Sequence, residues 1–279
     1  MTAILATLSA ALFGTADFLG GLASRRHRAL IVTVRSQVVG FAILLVAAIL
    51  VPAAAVGTRD IGLGVFAGVS GGIGVVALYA GLATGRMGVV APITAALSGT
   101  LPALYDIIRG TQVTAMGIAG IVLALVAVVI VSLTGHQPGE SDSPGRALIF
   151  AVVAGVGFSG SIISYASTAH TSGFWPLVAA RATTIVMLGI IAIVWLRTLK
   201  LDATALKPAM WAGVFDGFAN IAIILALRSG PLAIASVLAA LYPVATVLLA
   251  RFVLDERLHV WQQVGVALAL VAVVLSALA

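Results

Sequence analysis

The chain has 279 residues, of which 62% are hydrophobic and 9% are charged, and its formal net charge is +6. Soluble domains carry about a quarter charged residues, so this composition predicts an integral membrane protein. The chain contains no cysteine, which excludes disulfides, a thiolate nucleophile and cysteine-ligated metals. Its four scattered histidines suggest no metal site, and no cofactor is predicted. The excess of basic residues is expected to match anionic lipid, not nucleic acid.

Ten apolar segments are each long enough to cross a bilayer as a helix, which takes roughly 20 residues. Long apolar runs favour helices over the short alternating strands of a barrel. The first segment starts without a basic leader, so we expect a retained span, not a removed signal peptide. In chain order the predicted spans are 2–23, 30–53, 61–83, 88–108, 112–134, 147–169, 174–196, 210–228, 231–250 and 260–278.

The sequence contains an internal repeat. Residues 120–129 (GIVLALVAVV) return 145 positions later as residues 265–274 (GVALALVAVV), identical at eight of ten places. Five spans per half place the second copy upside down in the membrane, an arrangement typical of secondary transporters. We therefore predict an all-α integral membrane protein of ten transmembrane helices, built as two inverted five-helix repeats: residues 1–135, a linker at 136–146, and residues 147–279.

Glycines four residues apart occur in two of the predicted spans. Gly64, Gly68 and Gly72 lie in the third span, and Gly213 and Gly217 lie in the eighth. Small residues at this spacing let helix backbones approach closely in lipid. We expect these glycines to mark helix–helix contacts.

Four ionisable residues fall inside predicted spans: Asp17, Arg35, Arg181 and Asp216. Such charges cost about 2.5 to 3.5 kcal/mol at mid-bilayer and must face protein or water. Asp17 and Arg35 are nearly equidistant from the turn at 25–28, so we expect them to pair, either as a structural ion pair or as a proton-responsive gate. Arg35 and Arg181 correspond between the halves at an offset of 146, which places both where gates are expected.

The second half differs from the first at the position of Asp17, where Ile163 stands. Arg181 is therefore expected to lack a carboxylate partner, and either to bind a substrate carboxylate or phosphate or to contact backbone carbonyls or the membrane surface. Asp216, with Asn220 one turn further along, is the second proton-coupling candidate, unless it is hydrated at the interface.

Several uncharged polar side chains are weaker site candidates. Tyr79, Tyr242 and Ser159 are expected either to line a cavity or to pack in the core.

The basic residues predict an orientation. Loops on the amino-terminal side hold three of them, and the opposite loops hold ten. The positive-inside rule places the ten in the cytoplasm and both termini outside.

The end of the chain resembles a known family motif. Pro243 lies in the ninth span, Glu256 in the following turn, and Gln262 and Gly265 open the tenth span. This pattern resembles the closing motif of EamA-type members of the drug/metabolite transporter superfamily. In the first half Thr111 stands where Glu256 stands, so a role for the motif glutamate is carried over to Glu256 alone. The resemblance implies termini in the cytoplasm, which is opposite to the charge prediction.

The resemblance implies a carrier, not an enzyme, that moves amino acids, other small metabolites or drug-like molecules across the bacterial inner membrane, often outward. With the residues above, it predicts alternating access coupled to protons through Asp17 or Asp216. The expected partners are a small-molecule substrate and the bilayer, with the chain a monomer or homodimer.

Two other functions fit parts of the sequence. A passive channel or a subunit of a membrane complex is the main alternative. A rhomboid-type serine protease is a third, because Ser70 and Ser159 each lie in a GxSG string. A serine nucleophile needs a histidine within reach, and all four histidines fall in loops or at span ends.

Overall fold

The chain folds into a bundle of helices. The computed structural model describes residues 2–84, 87–108, 115–133, 144–229, 239, 242–254 and 260–277, and within these ranges every regular element is helical. The helices are α1 (Thr2–Ser24), α2 (Ala29–Leu50), α3 (Thr58–Ala83), α4 (Met87–Ile108), α5 (Ala115–Leu133), α6 (Pro144–Ala166), α7 (Trp175–Ile191), α8 (Ala203–Ser229), α9 (Tyr242–Leu254) and α10 (Val260–Ala277).

Six of these helices are long and apolar enough to cross a membrane: α1, α2, α3, α6, α7 and α8. Shorter apolar stretches lie in α4, α5, α9 and α10. The prediction of a helical, multi-pass membrane protein is therefore confirmed. The count of ten spans and the inversion of the repeats stay predictions. Much of the predicted linker, and residues 231–238, 240 and 241 of the ninth span, lie outside the described residues.

Local sequence explains where α7 begins and ends. Pro176 lies in its first turn, where a missing backbone N–H costs no helical hydrogen bond. After α7 the chain widens into a short π-helix, Ala192–Leu196, and Arg197 then adopts a left-handed conformation with φ 52°. A left-handed residue is a common way to end a helix. The chain is thereby released into the loop that leads to α8.

Most of the helix contacts between the two halves come in matched pairs, although that of α4 with α10 has no comparable counterpart among the described residues. α1 packs on α8 and α3 packs on α6; α2 packs on α8 and α3 on α7; α4 packs on α6 and α1 on α9. Exchanging helices one to five with helices six to ten converts each contact into its partner. α2 against α7, α5 against α10 and α4 against α9 are converted into themselves. A pseudo-two-fold relation between the halves would generate this pattern.

Glycines allow the closest of these contacts. A Cβ on Gly68 would run into the carbonyl oxygen of Ala180 in α7, and the Thr184 hydroxyl donates to the Gly68 carbonyl at 2.7 Å. Gly64 and Gly72 meet the same helix one turn to either side. In the other half of the bundle, Gly213 of α8 leaves no room for a Cβ beside α2. The predicted packing role of the spaced glycines is confirmed.

Replacing Gly68 by alanine should destabilise the bundle by about 1 to 3 kcal/mol, because the added methyl group must displace the backbone of α7. The change is measured as the unfolding free energy of the purified protein in detergent. Gly62→Ala is the matched control in α3, since Gly62 is exposed and a Cβ there meets nothing within 4 Å. It should be stabilising by up to about 1 kcal/mol through helix propensity. Equal effects at the two positions would contradict tight packing at Gly68.

Candidate functional site

An ion pair inside the bundle lies within the second half of the chain and is hydrogen-bonded to the first half. The Nη2 atom of Arg181 in α7 lies 2.6 Å from Oδ2 of Asp216 in α8. The Nη1 atom of Arg181 donates to the side-chain oxygen of Gln37 in α2. The Arg181 and Asp216 side chains are 12% and 16% exposed, and Gln37 is 2% exposed. Two nitrogens of the guanidinium are thus each bound to a partner, Asp216 from the second half and Gln37 from the first.

Small residues make room for this junction. A Cβ on Gly40 of α2 would lie 3.4 Å from Oδ2 of Asp216, and one on Gly213 of α8 would run into the Ser36 carbonyl. Because both helices present glycine here, the α2 and α8 backbones approach closely enough for Asp216 to lie between them. The Asp216 carboxylate therefore lies against α2 at a glycine, where α2 has no side chain.

A second carboxylate lies beside the pair. Asp17 of α1 is partly buried and close enough to Asp216 for the two charges to repel. Within the described part of the chain Asp17 has no ion-pair or hydrogen-bond partner. The interior there holds two carboxylates and one guanidinium.

Two tyrosines surround Asp17. The ring of Tyr79, in α3, occupies the space that a Cβ on Gly20 would fill, and the side chain is 3% exposed. The hydroxyl of Tyr242, in α9, is buried. Both tyrosines are within electrostatic range of the Asp17 carboxylate. The site therefore receives side chains from α1, α2, α3, α7, α8 and α9.

The predicted pairing of Asp17 with Arg35 is wrong. Arg35 is exposed, and its Nε donates to the carbonyl of Leu199, in the loop before α8, at 2.9 Å. Equal distance from the turn fixes the depth of two residues but not the faces of their helices. Arg35 faces outward and Asp17 faces the core, so the two do not meet.

The expectation that Arg181 lacks a carboxylate partner is also wrong. Its partner is Asp216, on the next helix in the chain, and not a residue at the position of Asp17 in the first repeat. Gln37 was not recognised from the sequence. The available signal was a glutamine in the middle of an apolar helix, two positions after Arg35.

Other predicted site residues have different environments. The Asn220 side chain donates to the backbone carbonyl of Asp216, one turn earlier in the same helix, at 2.8 Å. It therefore binds the backbone of its own helix and does not add a polar group beside the Asp216 carboxylate. Ser159 donates to the carbonyls of Gly155 and Leu97 and links α6 to α4. A substrate role for these two residues, and for Tyr79 and Tyr242, stays a prediction.

The structure describes the environment of two of the four motif residues near the end of the chain. Pro243 lies at the start of α9, and Gly265 is buried in α10. Glu256, and the side chain of Gln262, lie outside the described residues.

Comparison with known proteins identifies the second half of the chain. Residues 145–278 match the EamA-like transporter family, part of the drug/metabolite transporter superfamily. No curated protein matches the chain. The family resemblance seen at the end of the sequence is confirmed.

Asp216→Asn should destabilise the bundle by about 3 kcal/mol, because it leaves the Arg181 charge buried without a counter-charge. Adding Arg181→Gln should recover at least about half of that loss. The cycle is measured as unfolding free energies in detergent. Arg35→Gln, which removes an exposed arginine, should cost less than about 1 kcal/mol. If Asp216→Asn costs no more than Arg35→Gln, the pair does not stabilise the fold.

Proposed function

We propose that the chain is a proton-coupled secondary transporter of small metabolites, amino acids among them, because residues 145–278 match the EamA-like transporter family. The observation that carries the proposal is the Arg181–Asp216 pair, bound to Gln37 across the two halves, with the unpaired carboxylate of Asp17 beside it. Buried charges in a membrane protein are expensive and usually serve the pathway of an ion or substrate.

The matched helix contacts support alternating access. Each half contributes equivalent surfaces to the interface, so a rotation of one half against the other exchanges similar contacts. The ion pair lies on that interface, because Gln37 comes from the first half and Arg181 and Asp216 come from the second. A substrate bound there contacts both halves.

The charges of the site favour a zwitterion. Opening the Arg181–Asp216 pair leaves two buried charges, and breaking a buried pair by removing one partner costs about 3 to 5 kcal/mol. A molecule with both a carboxylate and an ammonium group compensates both charges at once. An anion compensates only the arginine, and a cation only the aspartate. Amino acids therefore suit this pair better than singly charged metabolites do.

Asp17 is the proposed proton carrier. When Asp17 is ionised, two carboxylates compete for the guanidinium of Arg181. When Asp17 is protonated, Arg181 pairs with Asp216 alone, and the charges of these three side chains sum to zero. Protonation of Asp17 and opening of the pair by substrate are thus linked through one guanidinium.

Other lines of evidence bear on direction and location. The family resemblance favours export, and the excess of basic residues in the loops on one side favours termini outside the bacterial inner membrane. Against the protease alternative, the hydroxyls of Ser70 and Ser159 both donate to backbone carbonyls of α6. A passive channel would show flux that does not saturate.

The first experiment is transport by the purified protein in liposomes. A panel of amino acids and other metabolites is offered with and without an imposed pH gradient. Saturable, gradient-dependent flux of a zwitterion supports the proposal. Flux that does not saturate identifies a channel, and no flux of any compound by folded protein overturns the carrier assignment.

Asp17→Asn should abolish gradient-driven accumulation while leaving exchange of labelled for unlabelled substrate, because asparagine cannot carry the proton but leaves the Arg181–Asp216 pair in place. Asp17→Glu, which keeps a titratable carboxyl group, is the matched control and should retain gradient-driven accumulation. Asp216→Asn should lose both accumulation and exchange. If Asp17→Asn accumulates substrate as the wild type does, proton coupling through Asp17 is wrong.

A further inference from the structure

Two faces of the bundle are each closed by a contact between a loop of the first half and a loop of the second. On one face, here called the Asp60 face, residues 51–60 meet residues 167–174. The Asp60 carboxylate accepts the backbone N–H of Ala169 at 2.9 Å, and the Ala55 N–H donates to the Thr171 carbonyl at 3.2 Å. Asp60 is 7% exposed. This closure uses backbone groups and a buried carboxylate.

The opposite face is closed by different chemistry. On this His27 face, the turn at 25–28 meets the loop at 197–202. Nε2 of His27 lies 3.1 Å from Oδ2 of Asp202, with the two side chains 27% and 57% exposed. The Arg35–Leu199 hydrogen bond lies on the same face. The two closures occupy exchanged positions in the halves, and each loop pair contains a histidine, His27 on one face and His170 on the other. Among the described contacts, an ion pair to a histidine is formed on the His27 face, by His27 with Asp202.

Asp202 remains ionised over the physiological range of pH. Hydrogen bonds from the Thr204 hydroxyl at 2.7 Å and the Ala205 N–H at 2.9 Å, together with His27, hold the pKa of Asp202 well below its usual range. The partner of Asp202 is a histidine, the residue type that ordinarily changes charge between about pH 5 and pH 8.

The other charged groups that the structure describes around this contact are basic. They are Arg25, Arg26 and Arg28 in the same turn, and Arg197, Lys200 and Lys207 in and after the facing loop. Asp202 is the one acidic side chain described on this face. A neutral His27 forms no ion pair and leaves at most a hydrogen bond to the Asp202 carboxylate, or the longer approach of the Asp202 N–H to Nε2 at 3.5 Å. The contact between the two halves on the His27 face is then weaker.

We propose that the His27–Asp202 contact is a pH-dependent latch, which keeps the His27 face closed while His27 is protonated and releases it when the proton is lost. The Asp60 face, closed by backbone groups and a buried carboxylate, keeps its closure over the same range. The latch itself does not depend on the proposed transport function. Its consequence for transport, that pH biases the face on which the carrier opens, rests on that proposed function.

The absence of native cysteine permits a test that needs no substrate. Spin labels at exposed positions, Arg26→Cys with Ala203→Cys, report the width of the His27 face in liposomes by pulsed electron paramagnetic resonance. Ala54→Cys with Ala166→Cys, also exposed, report the Asp60 face. Distances are recorded at about pH 5.5 and about pH 8, on either side of histidine titration.

The long-distance population on the His27 face should rise about two- to fivefold at the higher pH, the range expected for loss of an exposed ion pair. The Asp60 pair of labels should not change. In the same labelled background, His27→Gln should show the wide population at both pH values and His27→Arg the narrow one. Asp202→Asn, which can still cap α8, should behave as His27→Gln does. His170→Gln, in the loop of the Asp60 face, should respond to pH as the wild type does.

Two outcomes would overturn the latch. One is an unchanged distance on the His27 face between the two pH values. The other is a pH response that persists in His27→Gln, which would assign the change to another group, such as Asp17. Neither outcome bears on the liposome transport of the parent protein. Loss of transport with an intact His27 response would overturn the transport proposal and leave the latch.

Discussion

The arrangement of the bundle depends on the need to compensate a buried guanidinium. Arg181 must find an opposite charge and acceptors for its donors, since an isolated charge in a low-dielectric interior is expensive. Asp216 and Gln37 supply these groups from two neighbouring helices. The side chains reach one another because Gly40 and Gly213 bring the α2 and α8 backbones together. Helix packing and site chemistry therefore impose the same constraint on this part of the sequence.

The helices were largely predictable from the sequence, and the side-chain partners were not. The lipid environment requires every backbone group to be paired within its own span, so long apolar runs identify helices and their approximate ends. Glycine spacing identified a contact face on α3 for the same kind of reason, since only small residues permit it. Pairing depends on rotation about the helix axis, which neither hydropathy nor distance from a turn determines. Arg35 and Asp17 share a depth but face apart, whereas Arg181 and Asp216 meet across two helices of one half.

The halves resemble each other in packing and differ in charge. Arg181 is buried, while its counterpart Arg35 is exposed and bound to a loop carbonyl. Ile163 corresponds to Asp17 at the 146-residue offset, and Gly71 corresponds to Asp216 at the 145-residue offset. Equivalent packing surfaces make two related arrangements similar in energy. The charged residues of one half have no charged counterparts in the other half at this site. A proton and a substrate can therefore act on the same ion pair, Arg181–Asp216.

An unpaired Asp17 is difficult to explain as a device for stability. Without it the described interior would be neutral, with one guanidinium matched to one carboxylate. Its presence adds repulsion against Asp216 and places a second carboxylate where it competes for Arg181. A buried pair by itself is weak evidence for function, because such pairs also occur as structural contacts. The additional carboxylate distinguishes this site, since a group that disfavours the resting arrangement is useful when its charge is removed and restored during a cycle.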